Sequence, residues 1–410
     1  SMDANVTQQD LVDSGVSRDP ASHTPHLPLQ VTQQDLVDSY LLPFQACVEK
    51  GKVTSLMCSY NAINGVPSCA NPWLLQTVAR EAWNFDGYIT SDCDADANVY
   101  DPHHYTKSPE ETVQKVLRAG TDVDCGSAYN SANFEAAVKG GLMTEADVDR
   151  SFTRLTTMQM KLGLFDRDKA AQPYFNYGAE DIDTPEHRQL ALEAAQQSIV
   201  LLKNDGEVLP LTPGDGKIAV IGPHFNGTEV FMSNYHGSRC LDGTPGDGQN
   251  FDCVLTPLAA IAAINDGGLP GTGTSGFAGC NVAGDQCDIA GAVAVADKAD
   301  TVVLMMGIDG SIEAEGRDRY NTTLPGEQPQ LVEAILKLQK KTVLVLVNGG
   351  AMSLGPLKDA SPAIVSAIYG GEMAASALGE VLFGVYNPSG KVAATMYPPE
   401  YVSQLPLTQM

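Results

Sequence analysis

The sequence is short of positive charge: 25 Lys and Arg stand against 50 Asp and Glu, a formal net charge of −25 over 410 residues. Nucleic acid and anionic membrane surfaces both select a positive field, so this balance excludes them as partners. No apolar run approaches the roughly 18–20 residues that a membrane-crossing helix needs. The opening residues, Ser1-Met2-Asp3-Ala4, carry neither the basic nor the apolar stretch of a secretory leader. There is no CxxC pair and no Cys/His cluster with zinc-finger spacing. Gly267 to Gly276 lacks the Lys-Ser/Thr of a phosphate-binding loop, and Gly307-Ile308-Asp309-Gly310 is not a GxGxxG turn. Asp92, Asp94 and Asp96 alternate as at the start of a calcium loop, but Ala97 stands where that loop requires Gly and His103 where it requires Glu. Neither a metal nor a cofactor is expected.

What is present is core-forming material: 43% of the residues are hydrophobic, which excludes wholesale disorder. The length suggests two or three domains. Among nine cysteines, Cys58/Cys69, Cys240/Cys253 and Cys280/Cys287 each flank a short loop containing Gly or Asn, as local disulfides do. An odd count leaves at least one thiol free. With the N-x-[ST] triplets at Asn5, Asn226 and Asn321, these pairs point to a secreted or vacuolar protein.

Val6 to Ser14 recurs identically as Val31 to Ser39, separated by a turn-rich stretch with Pro20, Pro25 and Pro28. Only the second copy runs on into apolar residues, so 1–39 is expected to be a poorly ordered segment. From Val53 the pattern alternates. Strands are expected at Val53 to Tyr60, Gly87 to Ser91 and Thr121 to Cys125, with helices at Leu74 to Trp83, Pro109 to Ala119 and Thr144 to about Leu162. A polar connector, 166–184, separates this first domain (40–165) from a second (185–410). The second opens with a helix from Pro185 to about Val200. Its expected strands are Ile218 to Ile221, Thr301 to Met306, Thr342 to Val347 and Ala363 to Ile368, with helices at Gln328 to Lys340 and Met373 to Phe383. Such alternation defines a parallel α/β fold.

In parallel α/β folds, chemistry collects at the carboxyl ends of strands. Asp92 stands at such an end, where a turn or helix-capping role is equally open to it. Asp309, Glu313, Glu315 and Asp318, with Arg317 and Arg319, follow another strand and alone would read as a solvated loop. Together the two places offer what glycoside hydrolysis needs, a carboxylate that attacks the sugar and a protonated one that donates to the leaving oxygen.

The sequence resembles glycoside hydrolase family 3, most closely its β-xylosidase branch, from about residue 31 to 410. The resemblance rests on Met57-Cys58-Ser59-Tyr60-Asn61-Ala62 through Asn64-Gly65-Val66-Pro67, on Leu75-Gln76-Thr77, on Ile89-Thr90-Ser91-Asp92-Cys93-Asp94-Ala95 and on Ala119 to Gly126. In the second domain it rests on Ser198 to Asn204, Ala219 to Pro223, Ile312-Glu313-Ala314-Glu315 with Asp318-Arg319, and Asn387 to Lys391. It implies that Asp92 is the nucleophile of a retaining mechanism, that Tyr60 lines the subsite of the non-reducing sugar, and that the acid/base is Glu315, with Glu313 as the alternative. Arg319 and Asp318 are implied to steady the acid/base loop, Arg319 beside the substrate. Cys93 and Cys125 are implied to bridge two loops beside the site, with a pair of buried free thiols as the alternative.

The implied fold is the C-terminal part of a (β/α)8-type barrel followed by an α/β sandwich domain. A complete barrel needs ~250 residues, and the family's opening strands, its Lys-His pair and its upstream Asp and Arg are not found here. The implied activity is hydrolysis of terminal β-D-xylosides, or β-glucosides, with an oligosaccharide as partner and the missing half of the barrel either supplied by a partner chain, a second copy included, or lost from the gene model. A non-catalytic sugar-binding or structural protein is the other reading.

Overall fold

The computed structural model describes residues 31–236, 251, 253–267, 273–315, 317 and 319–404. These fall into two compact units that part between Asn176 and Tyr177. The first copy of the repeat, Asn5 and Cys240 lie outside the described residues, and so does the expected Cys240/Cys253 pair. The second copy departs from the expectation of a loose segment. Thr32 Oγ1 accepts the Asp35 N–H at 3.1 Å and starts a helical turn. Leu36, 3% exposed, then packs with Leu41 and Val78. Apolar partners decide the order of this copy, and the polar run that precedes them does not.

The first unit is built from successive β/α steps. Strand β1 (Ser55–Cys58) leads into a small hairpin, β2 (Ala62–Ile63) and β3 (Val66–Pro67). Asn64 and Gly65 at its tip have φ of 50° and 83°, the left-handed pair that an Asn-Gly turn supplies. The helix Trp73–Ala82 follows in the wide i→i+5 pattern. Strand β4 (Tyr88–Ser91) pairs in parallel with β1, from Ser55↔Tyr88 to Cys58↔Ser91. The helix Pro109–Ala119 starts where expected, its first turn capped by Ser108, and buries Val113, Val116 and Leu117. The helix Glu145–Lys161 is opened by a reciprocal cap between Thr144 and Asp147. Ser131–Lys139 is a further helix that the periodicity did not reveal.

The expected third strand, 121–125, is reduced to one parallel bridge, Thr90↔Val123. Its carboxylates explain why. The Asp122 side chain is fully buried and accepts from the Ile89 N–H at 2.9 Å, Arg80 at 2.7 Å and Arg154 at 3.0 Å. Asp124 accepts the Tyr129 N–H at 2.9 Å. The segment runs beside β4 but is held by side chains as much as by a ladder.

The second unit is a six-stranded sheet in the order β5-β10-β9-β8-β6-β7. Strands β6 (Ile218–Ile221), β8 (Thr301–Gly307), β9 (Lys341–Val347) and β10 (Ala363–Ser366) stand where the apolar runs placed them. Strand β10 stops short of Ile368, whose φ of 47° no β-branched residue adopts within a strand. Two strands were not expected. β5 (Val200–Asn204) continues the apolar run of the Pro185–Ser198 helix and pairs antiparallel with β10, and β7 (Thr274–Phe277) lies inside the glycine-rich region.

Successive residues of the strands feed opposite layers. Val220, Val303, Met305, Val343, Val345 and Val365 pack with the helices Pro257–Asn265 and Ala374–Leu382. Ile221, Val302, Leu304, Met306, Leu344 and Leu346 pack with Ile289–Asp297 and Gln328–Leu336. With both faces covered, each large aliphatic side chain contributes roughly 1.5–3 kcal/mol by burial. The result is an α/β sandwich. Cys58–Cys69 and Cys280–Cys287 form the expected disulfides, whereas Cys47, Cys93 and Cys125 are free.

Candidate active site

The candidate residues stand at two strand ends, one in each unit. After β4 the Asp92 N–H donates to the Cys58 carbonyl at 3.1 Å, which fixes where the residue leaves the sheet. Its Oδ1 accepts the Cys93 N–H at 2.7 Å and lies 3.2 Å from the Tyr60 hydroxyl. That hydroxyl is also 2.7 Å from the Cys93 carbonyl. His103 Nε2 lies 2.6 Å from the Tyr60 backbone oxygen and steadies Tyr60 from behind. Asp92 is half-buried, and the bonds from the Cys93 N–H and the Tyr60 hydroxyl fall on the same carboxylate oxygen.

The three alternating carboxylates have three separate surroundings. Asp94, at φ 62°, accepts the Ser127 N–H at 3.1 Å and ties two loops together. Asp96 is fully buried, and neither of its oxygens has a hydrogen-bond partner. Burial, and then the charge of Asp124, raise its pKa well above the usual carboxylate range. Its carboxylate lies within 4.8 Å of the Cys58 and Cys69 sulfurs, but these are joined to each other and offer no thiolate to a metal.

The bridge implied between Cys93 and Cys125 is not formed. Both thiols are free and exposed, not buried as the alternative had it. A hydrogen bond between them is the main cause that pushes the Cys93 thiol up to about 11. The two loops meet through this contact and through the Asp94 N–H on the Cys125 carbonyl at 2.6 Å.

In the second unit the spatial order reverses between β6 and β8, which makes the carboxyl ends of those two strands the crevice of a doubly wound sheet. The loop after β8 carries the acidic cluster. Asp309 accepts the Ser311 N–H at 2.8 Å. Glu313 is fully engaged: its Oε1 accepts the Gly349 and Gly350 N–H groups at 3.0 and 2.8 Å, and its Oε2 pairs with Arg319 Nε at 2.7 Å. A Cβ on Gly349 would come within 2.6 Å of Glu313 Oε1, so glycine is needed for this approach.

Arg319 also donates to the Ala351 carbonyl at 3.1 Å, so its guanidinium is committed to Glu313 and the loop after β9. Asp318 lies outside the described residues. Glu315 differs from Glu313. It is exposed, between Ala314 and Arg317, whose backbones bond to each other, and its carboxylate accepts from the Tyr235 hydroxyl. Arg317 braces this hairpin through the Gly310 and Ser311 carbonyls at 3.0 and 2.9 Å.

Sequence reasoning missed four residues here. His224 follows β6 and is 2% exposed; burial lowers its imidazole to about 4, and its Nε2 has no hydrogen-bond partner. The strand-end rule that singled out Asp92 would also have found His224. The phenol of Tyr369 is pushed up by burial first and then by Glu313 and Asp309. Asn348, which precedes Gly349, is buried, with Nδ2 donating to the Gly350 carbonyl at 2.7 Å. Tyr235 sits in a loop without periodicity, and no signal in the sequence joins it to Glu315.

A two-unit α/β protein with carboxylates at the strand ends of each unit is the class that these features define. Residues 199–409 match the glycosyl hydrolase family 3 C-terminal domain and residues 15–158 the family 3 N-terminal domain. The chain belongs to glycosyl hydrolase family 3. It is 41% identical over 372 residues to β-xylosidase/α-L-arabinofuranosidase 1 of Medicago sativa subsp. varia, covering 90% of this chain and 46% of the relative. It is 41% identical over 389 residues to β-D-xylosidase 1 of Arabidopsis thaliana, covering 94% and 48%. A solved family 3 exo-β-xylosidase, XlnD, bound to a xylobiose aziridine probe, superimposes with a TM-score of 0.84 at 35% identity, covering 93% of this chain and 47% of that one. A β-glucosidase from Erythrobacter marinus gives 0.71 at 30% identity, covering 85% and 48%. The chain thus spans about half the length of the curated relatives it matches.

Proposed function

We propose that the chain belongs to an exo-acting, retaining β-glycosidase that removes terminal β-D-xylosyl units from xylo-oligosaccharides. Asp92 attacks the anomeric carbon and forms an aspartyl glycosyl-enzyme. Glu315 protonates the leaving oxygen and then, as a carboxylate, takes a proton from the water that releases the sugar. The observation that carries this assignment is the contrast within the acidic loop. Glu313 is occupied by two backbone N–H groups and Arg319, whereas Glu315 is exposed at a hairpin tip. A group that must give and take a proton each turnover needs the freedom that Glu315 has. Glu313 and Arg319 then hold the loop, and Tyr60 orients the Asp92 carboxylate.

The experiment compares the purified protein with its Asp92→Asn, Glu315→Gln and Glu313→Gln variants on nitrophenyl β-xyloside and β-glucoside. Loss of turnover in Asp92→Asn, with azide restoring Glu315→Gln but not Glu313→Gln, is the expected result. Azide rescue of Glu313→Gln alone would transfer the acid/base role to Glu313. Equal background from wild type and Asp92→Asn favours the non-catalytic reading. The β-glucosidase likeness supports the glucoside arm as the second reading.

Among the described strands β1 pairs on one side only, and Met57 on it is 41% exposed. This supports a need for further parallel strands beside β1. The disulfides Cys58–Cys69 and Cys280–Cys287 support an extracellular site of action. Among the described residues no helix is long and apolar enough to cross a membrane.

A further inference from the structure

We infer that Tyr235 is a positioning residue for Glu315, holding its carboxylate and stabilising the charge that appears when it gives up its proton. This rests on the reading of Glu315 as the acid/base. The two residues come from the loops that follow β6 and β8, neighbouring strands on either side of the point where the sheet order reverses. The Tyr235 loop is anchored close by: Phe231, 1% exposed, is buried in the core, and its carbonyl accepts the Gly371 N–H at 3.0 Å. From that anchor the chain turns through Ser233, at φ 60°, and presents Tyr235, 68% exposed, to Glu315. The pair therefore faces solvent, where a substrate has access. Among the described residues no other side chain bonds to the Glu315 carboxylate.

The chemistry follows from the donor. A phenol donates one hydrogen bond, and a carboxylate accepts it more strongly than a carboxylic acid does. As Glu315 passes its proton to the leaving oxygen, the bond to Tyr235 strengthens. When the carboxylate takes a proton from water, the bond weakens again. The phenol keeps its own proton throughout. The gain appears only where acid help is needed, so it grows with the difficulty of the leaving group.

Two arms test this on the full chain. In the first, tyrosine is labelled with carbon-13 at Cζ, and the Tyr235 signal is assigned by its absence in Tyr235→Phe. It should shift in Glu315→Gln, where a neutral amide replaces the carboxylate acceptor, and stay in place in Glu313→Gln. A signal that stays in place in Glu315→Gln, or that shifts equally in Glu313→Gln, overturns the contact.

In the second arm, Tyr235→Phe should lower kcat/KM for xylobiose by about 10–100-fold and for 2,4-dinitrophenyl β-xyloside by less than about threefold, since an activated leaving group needs little acid. Equal losses on both substrates overturn the positioning role. A wild-type protein that hydrolyses neither substrate contradicts the proposed activity instead, and the carbon-13 arm still decides the contact.

Discussion

The two units use the same β/α alternation and reach different degrees of closure. In the second unit, β8 is buried along its whole length and helices cover both faces of the sheet. In the first, the apolar contacts break into small groups, such as Val48, Leu75, Ala79, Phe85 and Ile89, or Val113, Leu117, Ala137 and Met143. Phe152, Met160, Leu162 and Phe165 of this unit are more than half exposed. A parallel strand pair without covered faces lacks the burial that stabilises such sheets. The first unit depends instead on buried polar ties, above all Asp122 with Arg80 and Arg154. The lesson is that one pattern of alternation is held by apolar layers in one place and by ion pairs in another.

The comparison breaks most readily at Asp122. Asp122→Ala leaves two guanidinium groups without their buried partner and should cost about 3–5 kcal/mol, seen as loss of the first unit's transition in urea unfolding while the second unit's transition stays in place. Two transitions that shift together would show that the units do not differ in this way.

His224 offers a comparable effect in the second unit, but only in acid. Its folded-state value of about 4 lies below the ordinary 6.5, so the unfolded chain binds the extra proton and stability falls as pH drops from 6.5 towards 4. The loss amounts to about 3 kcal/mol. His224→Asn should flatten this limb, and an unchanged limb in thermal melts at pH 4–6 would count against the burial argument.

Asp96 works in the opposite direction in the first unit. Its pKa is raised, so the stability it contributes is present below the unfolded carboxylate value and is lost as pH rises through the folded one. Asp96→Asn removes the charge and keeps the shape. It should raise stability at pH 8 by about 1–3 kcal/mol and change little at pH 3. An equal change at both pH values would show that ionisation is not the cause. The smallest effect is Ser108→Ala, which removes a helix cap and should cost about 1 kcal/mol by the same melts.

Much of this arrangement was legible in the sequence. The runs at Ile218, Thr301, Thr342 and Ala363 announce buried strands because parallel strands covered on both faces are continuously apolar, and Ser108 and Thr144 mark helix starts by their capping chemistry. The strand β5 was hidden because Val200 extends the apolar face of the helix before it, and β7 because glycine masks its pattern. The tie of Glu313 to Gly349 and Gly350 joins residues far apart in sequence, so the motif put Glu315 first and kept Glu313 as the alternative without revealing how either is held. The separate thiols of Cys93 and Cys125 likewise reflect loop geometry that no spacing encodes.

The most direct test of the account is to trap the covalent intermediate. Incubation with 2,4-dinitrophenyl 2-deoxy-2-fluoro-β-xyloside, followed by proteolysis and mass spectrometry, should place one fluoroxylosyl group on the peptide carrying Asp92, on that side chain. A label on Asp94 or on any other carboxylate, or no label at all, would contradict the assignment of Asp92 as the nucleophile.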